Sequence, residues 1–255
     1  MNDTEHQLSG WVRNRFLKPA FWRPTHLPPS AWLEHIPFAY WITCQHEPRV
    51  LVELGTHHGA SYFAFCQAVE ALALDTRCYA VDTWQGDEHA GFYDEAVYTE
   101  VNAINRSLYS GFSSLIRSTF SDAAPYFEDS SIDLLHLDGL HTEEAVRADL
   151  EMWLPKMSDR AILLLHDTNV RERNFRVASI LSELRLKYPV FEFTHGHGLG
   201  VVGVGTDFGT GLRDLFTGGE QADSHRDIAN FFARLGQGCA LAQRVNYMEQ
   251  KLSGK

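Results

Sequence analysis

The sequence predicts an α/β protein built on a mostly parallel sheet with helices on both faces. Three observations carry that expectation. Between residues 48 and 206, short and nearly unbroken apolar runs alternate with longer stretches of helical periodicity, as a sheet buried on both faces requires. The last two runs flank a Gly/His turn in "VFEFTHGHGLGVVGV" and read as an antiparallel hairpin that ends the series. The chain of 255 residues is 44% hydrophobic and 22% charged, enough for one sizeable core.

Each element has its own signal. Residues 1–47 form an N-terminal arm with helices. Its aromatic and basic text, "WVRNRFLKPAFWRP", includes Trp11, Phe16, Phe21 and Trp22, and it is expected to pack on its own domain rather than on a membrane surface or partner. Ser30 can cap a helix from about Ala31, which Pro37 limits or kinks. "RVLVELGT" is a buried strand and "ASYFAFCQAVEALAL" a helix with one apolar face. "RCYAVDTW" is a strand ending in Asp82, and "FYDEAVYTEVNAINRSLY" a helix. "SSLIRSTFSDAAPYF" gives a short strand and a short helix. "SIDLLHLDG" is a strand ending in Asp138, followed by a helix that Thr142 caps. "RAILLLHDTN" is a strand ending at Asp167, and "FRVASILSELRLKY" is a helix before the final hairpin. Residues 207–255 are a helical extension interrupted at Gly236 and Gly238, suited to packing on the core, to a homo-oligomer or to a linked biosynthetic domain.

Composition narrows the function. A formal net charge of −11 disfavours nucleic acid as a partner. Cys44, Cys66, Cys78 and Cys239 show no zinc spacing and read as free thiols in a reducing compartment. No run is long enough to span a bilayer and "MNDTEHQLSG" lacks a signal-peptide pattern, so a cytoplasmic setting is expected.

Four acids stand at or near strand ends: Glu53, Asp82, Asp138 and Asp167. Ligands of open parallel sheets bind beyond the carboxyl ends of the strands, and charges gathered there need partners. Gly55 and Gly59 permit a close backbone approach in the first turn, and the next helix offers free amides near Ser61. Asp82, 29 residues after Glu53 at the end of the next strand, is placed to hold ribose hydroxyls. "GTHHGAS" lacks the G-x-G-x-x-G fingerprint, so a ribose-bearing cofactor without a pyrophosphate fits better, with S-adenosylmethionine the obvious candidate.

"VLVELGTHHGAS", "YAVDTWQGD", "IDLLHLDGLHTEEAVRADLEMWLPKM" and "AILLLHDTN" together resemble the class I S-adenosylmethionine-dependent methyltransferases. They are most similar to the bacterial metal-dependent branch that O-methylates sugars and natural products. The resemblance covers residues 48–205 and implies a Rossmann-like seven-stranded sheet of order 3-2-1-4-5-7-6, its last strand antiparallel. It places Glu53, Gly55, Thr56, Gly59 and Ser61 by the methionine part. It sets Asp82 and Thr83 by the ribose, Trp84 by the adenosine, and Ser121 near the adenine. It implies a magnesium ion, with manganese as the alternative, at Asp138, His166 and Asp167. His166 departs from the carboxylate that relatives carry there. His141, three residues after Asp138, is implied as general base. Asp87, His89, Tyr93 and Arg171 are candidates for the acceptor, a saccharide or glycosylated small molecule. Arg173, Arg176, His195 and His197 border the same region in sequence. Three rivals stand beside this reading: a degenerate methyltransferase-like interaction domain, motivated by the helical tail; a nicotinamide-dependent oxidoreductase, for which "GTHHG" offers no pyrophosphate cradle; and a metal-dependent hydrolase, disfavoured by the sparse ligand spacing.

Overall fold

A computed structural model describes residues 18–89, 91–172, 174–217 and 222–253. Trp11, Phe16 and Arg173, singled out above, lie outside the described residues. The sheet strands are β1 (Val50–Leu54), β2 (Arg77–Asp82), β3 (Ser113–Arg117), β4 (Ile132–Leu137), β5 (Met157–His166), β6 (Val190–Phe193) and β7 (Leu199–Gly203). The helices are α1 (Ile36–His46), α2 (Ala60–Leu72), α3 (Glu95–Ile104), α4 (Glu143–Trp153), α5 (Val177–Leu184), α6 (Thr210–Thr217) and α7 (Ala222–Leu252).

The seven strands lie in the order β3-β2-β1-β4-β5-β7-β6, the order expected. β1 to β5 pair in parallel, while β7 runs antiparallel to both β5 and β6. Side-chain alternation sorts each strand between two cores. Leu51, Leu134 and Leu164 face the core under α1, α2 and α7, and Val52, Leu135 and Leu163 face the one under α4 and α5. β1 therefore turns Glu53 to the same side as Leu51, beside His136 of β4 in register. The amino ends of the strands are tied together by Asp133. It accepts hydrogen bonds from the Arg49 backbone and guanidinium and from the Ser158 hydroxyl, at 2.6–3.1 Å.

Local chemistry explains the element ends, with two corrections. Ser30 Oγ accepts from Trp32 N at 3.0 Å and opens a 3-10 turn, Ala31–His35. Pro37 neither limits nor kinks the helix that follows; it sits in the first turn of α1, where its missing N–H would have had no helical partner. Gly236 and Gly238 do not interrupt α7, which runs unbroken. A Cβ on Gly236 would lie 2.0 Å from Glu34 O, so this glycine lets α7 pack directly on the 31–35 turn. The N-terminal arm meets its own domain where described: Trp22 packs on Tyr40, and Phe21 meets Phe231 edge-on. None of the four cysteines forms a disulfide, and Cys66, Cys78 and Cys239 are buried.

Candidate active site

At the carboxyl ends of β1, β2, β4 and β5 lies a cavity of about 270 Å³. Gly55 N donates to Val81 O and Asp138 N to Leu54 O, which locks the turns after β1 and β4 against the neighbouring strands. Gly55 has φ +89, and a Cβ there would lie 2.1 Å from Asp138 O. The close approach that this glycine permits is therefore to the β4 turn. At Gly59, with φ +77, a Cβ would press on the Phe63 ring. Three non-glycine residues of the cavity wall, His57, Asp167 and His197, also have positive φ. Strained backbone of this kind concentrates where a site is built.

Asp82 joins the first two turns. Its Oδ2 accepts from Thr56 N at 2.8 Å and His57 N at 2.9 Å, and its Oδ1 from Trp84 N at 2.7 Å. Thr56, Ser61, Asp82 and Thr83 line the cavity, whereas Trp84 is buried beside it. The Trp84 indole N–H donates to His57 O, and its ring packs on Tyr98. Glu53 is fully buried beneath the turn. The indole N–H of Trp32 donates to His136 Nε2 at 3.0 Å. Since indole only donates, His136 carries its proton on Nδ1 and gives it to Glu53 Oε2 at 2.8 Å. Burial raises the Glu53 pKa, and the His136 hydrogen bond works against that rise. Among the described residues Glu53 Oε1 and Thr56 Oγ1 make no direct hydrogen bond, although the Ser61 and Thr56 hydroxyls sit near enough to Glu53 to help hold its pKa down. Loosely satisfied oxygens under the start of α2, with Ser61 in the cavity wall above, are the kind of polar groups that an amino-acid moiety would satisfy.

The reactive corner is denser in histidine than expected. His141 Nε2 lies 3.3 Å from Asp138 Oδ1 and 3.0 Å from Asp167 Oδ2. His166 Nδ1 lies 3.1 Å from Asp138 Oδ1, and His197 Nδ1 lies 3.1 Å from Asp167 Oδ1. His166 Nε2 donates to Gly196 O at 3.0 Å, and so does His35 Nε2. That carbonyl fixes the His166 tautomer and turns Nδ1 toward the carboxylates, as a backbone acceptor does for a ligating imidazole. Burial alone would lower the His141 pKa, but Asp138 and Asp167 more than offset it and lift it to about 9. Burial pushes Asp138 up, yet His166 and His141 hold it well below the usual carboxylate range. Asp138, His141 and Asp167 offer ligand atoms that all lie within 4.8 Å of one another. A mixed set of carboxylates and imidazole fits a divalent ion. The Nε2 of His141 is thus the atom on which a ligand's role and a general base's role both fall.

Asp87, His89 and Tyr93, expected to face an acceptor, line the cavity. Asp87 and its neighbour Gly86 pair with Gly91–Phe92 in a two-stranded hairpin, and Tyr93 stacks on His57 at 4.5 Å. His89 and His141 both stack on Phe175. Ser121 is exposed and bonded to Thr119, and Arg171 donates to Thr168 O; neither borders the cavity. His197 borders it while His195 packs on His35. Sequence reasoning missed Trp32, His136, Phe175 and the Pro29–Ala31 strap. Only tertiary folding brings Phe175 and the strap to the cavity wall and buries Trp32 and His136 beneath it, and no local spacing signals them.

Residues 52–168, from β1 past the end of β5, match a family described as a methyltransferase domain. The chain is 52% identical over 188 residues to the uncharacterized protein y4gI of Sinorhizobium fredii, covering 74% of this chain and 21% of that protein. It thus spans about a fifth of the length of that relative. Among solved structures, a Corynebacterium glutamicum protein superposes with a TM-score of 0.54 at 13% identity, covering 80% of this chain and 99% of its own. A Staphylococcus aureus protein described provisionally as a caffeoyl-CoA O-methyltransferase gives 0.53 at 12%, covering 78% and 96%. The fold is that of the class I S-adenosylmethionine-dependent methyltransferases.

Proposed function

We propose that the chain transfers the methyl group of S-adenosylmethionine to a hydroxyl of a saccharide or glycosylated acceptor, with a divalent ion held by Asp138, Asp167 and His141. The observation that carries this reading is the meeting of two carboxylates and three imidazoles in one cavity at the carboxyl edge of a methyltransferase sheet. When bound, the cofactor supplies an electrophilic methyl on a sulfonium, and the ion lowers the pKa of an acceptor hydroxyl.

The chain's own residues then position and deprotonate. Glu53, Thr56 and Ser61 offer partners to the amino-acid end, and Asp82 keeps the ribose turn in place, its Oδ1 accepting from Trp84 N and able, as a carboxylate oxygen, to accept a second donor. Asp87, His89 and Tyr93 orient the acceptor. His166 is held through Gly196 as a further nitrogen donor. If His141 ligates, its base role passes to another imidazole of the cavity wall. His57 is a candidate: burial and the neighbouring His58 lower its pKa, against the opposing pull of Asp82, Asp138 and Asp87. Nitrogen in the donor set favours manganese over magnesium, which prefers oxygen alone.

The free cysteines suit a reducing, cytoplasmic setting, and among the described residues no helix is long and apolar enough to cross a membrane. Leu241, Val245, Met248 and Leu252 are exposed along one side of α7 and offer a surface for a second copy or a linked domain. The degenerate-domain and nicotinamide readings separate from this one by titration. S-adenosylhomocysteine should bind tightly and NAD+ should not. Chelation of active enzyme should lower turnover at least 100-fold and added Mn2+ should restore it; turnover indifferent to chelation would remove the ion from the mechanism.

A further inference from the structure

The face that α7 turns toward the body changes character partway along. Up to Cys239 it is apolar: Phe232 is buried edge-on against Phe38 and Phe193, and Cys239 is buried as well. At 3.6 residues per turn, the same side of the helix continues through Gln243, Asn246 and Gln250. There the helix leaves the core: Gln243 is half-buried and Asn246 and Gln250 are exposed, a row of carboxamides at the surface. They border a second cavity of about 270 Å³, closed on the far side by the Thr25–Pro29 strap, His58 and Glu100. The strap is fixed there by a hydrogen bond between His26 Nε2 and His58 O at 2.8 Å.

Pro29 and His58 line both this cavity and the reactive one. They form a common wall between the ion-binding corner and the amide row. Each carboxamide presents two donors and an acceptor to a ligand. Glu100 accepts from hydroxyls and repels anions, and Tyr247 adds an aromatic edge. Neutral amides, one carboxylate and an aromatic ring match a ring-shaped polyol far better than a phosphate or an acidic peptide. At about 270 Å³, the volume falls just under the roughly 300 Å³ at which small-molecule pockets begin, so it holds one small unit at most.

We propose that Gln243, Asn246 and Gln250 form a second sugar subsite, which holds the neighbouring unit of an oligosaccharide whose reacting hydroxyl lies at Asp138 and Asp167. The inference rests on the acceptor reading above and narrows it: the substrate has at least two sugar units and passes over Pro29 and His58. The test uses the full chain, fluorescently labelled, on a printed array of neutral and acidic mono- and oligosaccharides with S-adenosylhomocysteine present. The comparison is with the double variant Gln243→Ala/Gln250→Ala. Gln250 is exposed, Gln243 is half-buried, and alanine favours helix, so the fold is retained. The wild type should retain neutral glycans of two or more units, and the variant should bind them at least tenfold more weakly, roughly the loss of one or two hydrogen bonds. Calorimetric affinity for S-adenosylhomocysteine should be equal in both. Equal glycan retention by the two proteins, retention of monosaccharides alone, or no retention by either overturns the subsite. Failure of S-adenosylhomocysteine to bind at all overturns the methyl-transfer reading instead.

Discussion

Asp82 shows how one side chain can serve scaffold and ligand together. Its carboxylate receives three backbone N–H groups from two different turns, and removing it would leave all three without that acceptor. Asp82→Ala should lower stability by on the order of 3 kcal/mol, a fall of about 10 °C in Tm for a chain of this size, and weaken S-adenosylmethionine at least tenfold. A scan that leaves Tm unchanged would contradict this account. Asp138→Ala separates the roles differently: turnover should fall at least 1,000-fold while calorimetry finds cofactor affinity within a factor of three. At this scale the sequence was legible wherever an acid ended an apolar run, which is why Asp82, Asp138 and Asp167 stood out. Phe175 was obscure because a loop phenylalanine looks ordinary until folding stacks it on His89 and His141, and His197, named only as bordering the region, proves to reach Asp167. Ser121 and Arg171 looked better in sequence than in space, since both answer to their own local backbone.

The strands were readable because parallel β-strands buried on both faces leave continuous apolar runs, and the turn before β7 carried its own Gly/His mark. Less readable was Asp133, in the middle of "SIDLLHLDG". It is fully buried and braces β1 and β5 through Arg49 and Ser158. Burial alone would raise its pKa, but those hydrogen bonds outweigh it and hold it at about 2. Because the folded pKa is depressed, the stabilisation is present above the unfolded value near 4 and fades as pH falls toward 2. Asp133→Asn should cost on the order of 2 kcal/mol at pH 7, and the gap from wild type should close at about pH 2. Urea titrations across that range measure it, and a gap independent of pH would assign the loss to packing. α7 misled in another way: Gly236 reads as a break in one dimension and as a contact in three.

For the whole molecule, the arm, the sheet and the C-terminal helices share one apolar core. Phe232 of α7 packs against Phe38 and Trp41 of α1 and Phe193 of β6, so the extension is part of what covers that face of the sheet. Phe232→Ala should cost about 3–5 kcal/mol, and a chain ending at residue 206 should be unfolded or insoluble by circular dichroism and sedimentation. A truncated chain with native-like melting would show the extension to be an accessory. The reversal of β7 has a further effect. Because β7 runs against its neighbours, the link from β6 arrives at the same edge as the ends of β1 and β5, and so Gly196 reaches His166 and His197 reaches Asp167. That link is a short surface hairpin with no strand beyond it to disturb. Lengthening or rewriting it would reshape the histidine–carboxylate corner proposed to hold the ion while the turns after β1 and β2 stayed as they are.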